Sequence, residues 1–113
     1  MELIPSFNIF ASLVLAVIFG GIVGIEREMS HKPAGLRTHM IVSLGSCLFT
    51  IVSLDFSVDP ARVAAGIVAG IGFIGAGTIW SEKDKVQGIT TAASLWATAA
   101  IGLATGVGAY LLA

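Results

Sequence analysis

Four apolar runs, each near the length needed to cross a bilayer, constrain this chain more than any other feature. Ser6 to Ile25 contains no charge, and neither does Val63 to Trp80. Leu36 to Leu54 holds Arg37 and His39 only at its start, and Ile89 to Ala113 has no ionisable group except Tyr110. A membrane-crossing helix needs about 20 mainly apolar residues. The charges fall in the gaps, "EREMSHKPAG", "DFSVDPAR" and "SEKDKVQ". Only 12% of residues are charged, against about 25% in soluble domains, so water is a poor solvent for this surface. The expected fold is an all-α membrane protein. It is a single domain over residues 1–113, a bundle of about four transmembrane helices near 6–25, 36–54, 60–80 and 89–112. The first run is long and ends in glycines, so it reads as a span and not as a cleaved signal sequence.

The gaps also predict orientation. Arg27, Lys32 and Arg37 lie in or beside the first, and Lys83 and Lys85 in the third. Basic residues collect in cytoplasmic loops, which puts loops 26–37 and 81–88 in the cytoplasm and both ends outside. Trp80 and Tyr110 fall at expected interfaces. A net charge of −1 gives no footprint for nucleic acid. Cys47 is the sole cysteine, so no intrachain disulfide can form, and it reads as a small packing residue.

"GIGFIG", residues 70–75, matches the dinucleotide pattern G-x-G-x-x-G. That turn needs a strand before it and a helix opening after it. Here the preceding residues open a helix instead, with Asp59 as cap and Pro60 at the first helical position. Inside a helix, Arg62, Gly66, Gly70, Phe73 and Gly77 share one face. Gly66 and Gly70 form a G-x-x-x-G pair, as do Gly20 with Gly24 and Gly102 with Gly106. Such pairs let helix backbones approach closely in lipid, so these glycines are expected to pack helices within a bundle or a homodimer.

Two helices carry hydroxyl stripes. His39, Ser43, Ser46, Thr50 and Ser53 share a third of the second helix; Thr91, Ser94, Thr98 and Thr105 share one face of the fourth, with Gly102. Each stripe is a packing seam or one wall of a hydroxyl-lined path. "AGLRT" before the second helix resembles "QGITT" before the fourth, 53 residues on, a repeat that two parallel helical hairpins would satisfy.

No acid, lysine or arginine falls at mid-span. Asp55, Asp59 and Arg62 gather at one end, with Arg62 expected to point into the bundle and pair with an aspartate. Glu26, Arg27, Glu28, Lys32 and Arg37 gather at the other, where Arg37 can fold back on Glu26 or Glu28. Intramembrane charges are costly and mark function, whereas charges at helix ends snorkel to water. Magnesium prefers oxygen ligands and keeps much of its water, so Asp55 and Asp59 are the carboxylates able to hold a hydrated ion; no other metal or cofactor is indicated. With no nucleophile–base pair evident, the chain is not expected to be an enzyme.

"GGIVGIERE", "KPAGLRTHMIVSLGS", "DPARVAAGIVAGIGFIGAG" and "GITTAASLWATAAIGLATGVGAY" together resemble the transmembrane domain of the MgtC/SapB family, which includes YhiD-type proteins. The resemblance runs from Gly20 to Tyr110. It implies a bacterial inner-membrane protein linked to magnesium limitation, acid stress or survival inside host cells, and acting through other membrane proteins. The alternative is a small transporter or channel for magnesium or another solute. The resemblance carries over Glu26, Arg27, Gly35, Leu36, Arg37, Thr38, Asp59, Arg62, Gly70, Gly75, Gly77, Thr90 and Thr91. Members of that family commonly continue with a further helix and often a soluble cytoplasmic domain, so the sequence ending at Ala113 is expected to be either a minimal member or a piece that stops before a fifth helix.

Overall fold

The computed structural model describes residues 6–56 and 59–113. Its elements are α1 (Ser6–Met29), α2 (Leu36–Asp55), α3 (Pro60–Ala76), a hairpin of β1 (Trp80–Glu82) and β2 (Lys85–Gln87), and α4 (Ile89–Gly106). α1, α2 and α4 are long and apolar enough to cross a membrane, while α3, also apolar, has 17 residues. In lipid a helix meets its own backbone hydrogen-bonding needs, which suits runs this apolar.

Local chemistry sets the ends, and three differ from expectation. α1 runs one turn further, to Met29, and closes with the bonds Lys32 N–H to Arg27 O (3.0 Å) and His31 N–H to Glu28 O (3.1 Å). This is a Schellman motif with His31 in the left-handed position, φ 55°. α4 stops at Gly106, short of 112, in a second such motif. There Gly108 takes φ 85°, and Ala109 N–H reaches Ala104 O at 2.9 Å. α3 stops at Ala76, not Trp80. Thr78 Oγ1 donates to Gly75 O (2.7 Å), and the chain turns into the hairpin. Its two-residue turn, Lys83 and Asp84 at φ 49° and 67°, has both φ values positive, as a type I′ turn requires. Trp80 therefore opens a strand instead of closing a helix. The start of α3 is as expected: Pro60 lies in the first turn and Asp59 Oδ1 accepts from Arg62 N–H at 3.3 Å.

α2 is central. α1 packs antiparallel along it, and α4 packs parallel to it on another side, with α1 also touching α4. α3 runs back antiparallel to α4 and meets α2 only sparsely. Both connections, 30–35 and 77–88, thus lie at one end of the bundle. Two small apolar clusters complete the interior: Ala16, Cys47 and Ile51 between α1 and α2, and Ile71, Leu95 and Ala99 between α3 and α4. Outside, Phe10, Phe49, Phe73 and Trp96 are more than half exposed. A contiguous apolar coat of this extent is a liability in water and the expected surface in lipid.

Where water supplies no drive, closeness of approach must hold the helices. A Cβ added at Gly20 would lie 2.6 Å from His39 O, and one at Gly24 2.7 Å from Leu36 Cα. At Gly102 it would lie 2.3 Å from Ser43 O, and at Gly106 2.7 Å from Thr50 Cβ. The α1 and α4 glycines therefore let both helices rest on the backbone of α2.

The α3 glycines do something else. A Cβ at Gly66 or Gly70 would meet nothing within 4 Å, and Gly77 adjoins only its own helix end, as the C-cap of α3. α3 packs on α4 through Ile67, Ile71 and Gly75, and the Arg62–Gly66–Gly70 face is centred about 140° away at 100° per residue. Arg62 is consequently exposed rather than aimed into the bundle.

Candidate functional site

The two hydroxyl stripes face each other and close. His39, Ser43, Ser46, Thr50 and Ser53 of α2 and Thr91, Thr98 and Thr105 of α4 are all buried. Ser46 Oγ donates across the seam to Ala99 O at 2.6 Å. Most other hydroxyls bond a carbonyl one turn back: Thr50 to Ser46 O (2.8 Å), Thr98 to Ser94 O (2.7 Å) and Thr105 to Ile101 O (2.8 Å). At Gly102 a methyl would collide with Ser43 O, so α2 and α4 are in backbone contact there.

At the end with the two connections the seam becomes ionisable. Arg27, on the last turn of α1, is only 6% exposed. It shares a face with Gly20 and Gly24, so the same close approach that seats α1 on α2 buries it. Its Nη2 donates to Thr91 Oγ1 of α4 and, at 3.5 Å, to Pro33 O in the connection to α2. One guanidinium thereby ties three segments together. Its Nε is buried with no partner, as is Ser43 Oγ, and a buried polar atom left so costs about 1–3 kcal/mol.

Beside it His39, fully buried, bridges α2 and α4. Nδ1 lies 2.9 Å from Gly35 O, and Nε2 lies 3.0 Å from Ser94 Oγ. Ser94 Oγ also reaches Thr91 O at 2.8 Å. Gly35 and Gly88 stand at the N-caps of α2 and α4 without a side-chain cap. Gly88, at φ 90°, has Thr78 O 1.8 Å from where a Cβ would be, so no other residue fits there.

Of the residues implied by the resemblance, Arg27 and Thr91 are in contact. Glu26, Arg37, Thr38 and Thr90 are exposed at the same end. The expected fold-back of Arg37 is replaced: Arg27 closes the connection, and Glu28 Oε1 lies 3.0 Å from the Cβ position of Gly35. Asp59 and Arg62 sit at the opposite end, exposed. Among the described residues no group of three or more His, Cys, Asp or Glu side chains is placed to hold a metal ion. Sequence reasoning missed the hydrogen bond of 2.6 Å between Ser12 Oγ and Tyr110 Oη, which fastens the end of the chain to α1. The sequence alone places Tyr110 at a membrane interface and gives it no partner. Ser12 was the available signal, an isolated hydroxyl two turns before Gly20.

A second feature is an apolar groove of about 540 Å³ between α2 and α3, open to the outside. Gly45, Gly66 and Gly70 form part of its floor, with Phe49 and Ile74 among its walls.

Comparison with known proteins assigns this architecture. The sequence profile of the MgtC family matches residues 13–113. "Putative magnesium transporter YhiD" of Escherichia coli (strain K12) is 49% identical over 110 residues, covering 88% of this chain and 51% of that protein. "Protein MgtC" of Brucella abortus (strain 2308) is 46% identical over 106 residues, with coverage of 92% and 44%. "Protein SapB" of Bacillus subtilis (strain 168) is 40% identical over 114 residues, with coverage of 91% and 49%. The chain spans about half the length of the curated relatives it matches. No solved structure matches it. With the profile covering nearly every residue of the bundle, the chain belongs to the MgtC family.

Proposed function

We propose that this chain is an inner-membrane domain that serves adaptation to low magnesium, acid stress or intracellular survival by binding other membrane proteins or a second copy of itself. The observation that carries this reading is the contrast between its two interhelical surfaces. The seam between the hydroxyl stripes is closely packed, with Ser46 Oγ on Ala99 O. The α2/α3 groove is open, apolar and lined by Gly45, Gly66 and Gly70, whose added Cβ atoms would meet nothing within 4 Å among the described residues. Small residues on a lipid-facing helix let another helix approach closely. Connections 30–35 and 77–88 share one end, which in this reading is cytoplasmic because the basic residues gather there.

The name of the Escherichia coli relative supports a second reading, transport of magnesium. One experiment separates them. A photo-crosslinking residue placed at Gly66 or Gly70 captures a defined membrane partner or a second copy, and one at Phe10 does not. Equal capture at all three positions refutes the binding reading. Magnesium flux in vesicles of purified protein, lost on Ser46→Ala or Thr98→Ala, establishes the transport reading instead.

A further inference from the structure

Donor and acceptor counting around His39 leads beyond the binding reading. Gly35 O is a carbonyl and can only accept, so Nδ1 must carry a hydrogen at 2.9 Å. In the neutral ring Nε2 is then a lone pair, and Ser94 must donate to it across 3.0 Å. Yet Ser94 has a single hydroxyl hydrogen and a second acceptor, Thr91 O, at 2.8 Å. When Ser94 turns to Thr91 O, its oxygen is free to accept, and Nε2 can carry a hydrogen as well. In both protonation states each ring nitrogen thus keeps a hydrogen-bond partner with the heavy atoms where they stand.

We infer that His39 is a proton-binding site built into the α2/α4 seam, with Ser94 as the hydroxyl that reverses when the proton is taken up. A proton from water ends on Nε2, and the Ser94 hydrogen swings from Nε2 to Thr91 O. No other bond is made or broken. The loaded ring adds a positive charge to the turn of α4 that Arg27 already holds through Thr91 Oγ1.

The ionisable surroundings are sparse. From α1 they are buried Arg27 and exposed Glu26 and Glu28; the connection adds exposed His31 and Lys32, and α2 adds exposed Arg37. α4 carries no charged side chain, the single charge of α3 (Arg62) lies at the far end, and Glu82, Lys83, Asp84 and Lys85 of the hairpin are exposed. No carboxylate among the described residues is buried beside the ring. Two like charges then bear on one turn, which loosens the hold of α1 and the α2 connection on α4.

The test is nitrogen NMR of the histidine rings in the whole chain, in micelles, with exposed His31 identified through His31→Asn. The neutral His39 ring is expected to show a protonated Nδ1 and a bare Nε2. On acidification a second protonated nitrogen appears while helix content stays constant, and amide protection of residues 91–95 falls in step. A neutral ring protonated at Nε2, or no second proton until the helices melt, overturns the inference. Ser94→Ala provides an independent arm: it removes the donor that Nε2 needs, so the tautomer ratio or the titration midpoint must move. If neither moves, Ser94 has no part in the site.

Discussion

Replacing Gly102 by alanine tests whether backbone contact holds the seam. The added methyl would lie 2.3 Å from Ser43 O and 2.9 Å from Ser46 Cβ. Ordinary contact begins near 3.5 Å, so α2 and α4 must part by about 1 Å. The obstructing oxygen is backbone and cannot rotate aside. Overpacking of this kind costs about 1–3 kcal/mol. Parting the helices also strains the bonds from Ser46 to Ala99 O and between His39 and Ser94, at about 0.6 kcal/mol for each such polar pair in a membrane. Against this, alanine favours a helix over glycine by about 0.8–1.0 kcal/mol. The net expectation is a loss of about 1–3 kcal/mol. Gly72→Ala is the control: nothing lies within 4 Å of its added methyl, so it should gain about 0.4–1 kcal/mol. Reversible unfolding in mixed micelles titrated with SDS, followed by helical circular dichroism, reads both. If Gly102→Ala proves as stable as the parent protein, the close approach of α2 and α4 is not what holds them.

Four further outcomes follow from other contacts. Gly70→Leu should keep the fold, with a gain of about 0.4–1 kcal/mol like that of Gly72→Ala, yet abolish crosslinking at Gly66, since its Cβ meets nothing within 4 Å and its side chain occupies the groove; a lost fold counts against the groove. Arg27→Met should stay within about 1 kcal/mol of the parent or gain stability, because the buried guanidinium has an unpartnered Nε and apolar isosteres of buried charges are often neutral or stabilising. A loss of activity under low magnesium with stability retained would mark Arg27 as functional, whereas a loss of several kcal/mol would make it structural. Tyr110→Phe should cost about 0.5–1.5 kcal/mol by freeing Ser12, read in the same titration. Cys47, fully buried with Sγ 3.6 Å from Ser12 O, should resist a maleimide until SDS unfolds the chain; rapid labelling in gentle detergent would contradict the packing of α1 on α2.

Much of the architecture was legible because lipid enforces simple rules. Uncharged runs located all four helices, and Asp59–Pro60 located the start of α3. The hydroxyl stripes gave the seam, since residues four apart must share a face. Helix ends were read less well, because Gly108 and His31 act through a left-handed backbone that hydropathy does not register. The hairpin escaped notice: "KD" is not a favoured type I′ pair, and six exposed residues carry no alternation strong enough to reveal a strand. The α3 glycines carried the same spacing as those of α1 and α4, yet spacing cannot tell whether the neighbour lies in the same chain. Arg27 reads in the sequence as one of the helix-end charges that snorkel to water, although its position one turn after Gly24 puts it on the packed face, where it is buried.

The parallel run of α2 and α4 fixes an order of events during synthesis. α1 and α2 can pair as soon as both are in the bilayer, but α4 must wait until α3 has crossed back. Through that interval the hydroxyls of α2 face acyl chains. Thr50 and Ser53 are bonded to carbonyls of their own helix, at 2.8 and 2.6 Å, and so endure the delay without a partner. Ser46 is the α2 hydroxyl bonded to α4, so its bond to Ala99 O, like that of His39 to Ser94, reports that α4 has arrived.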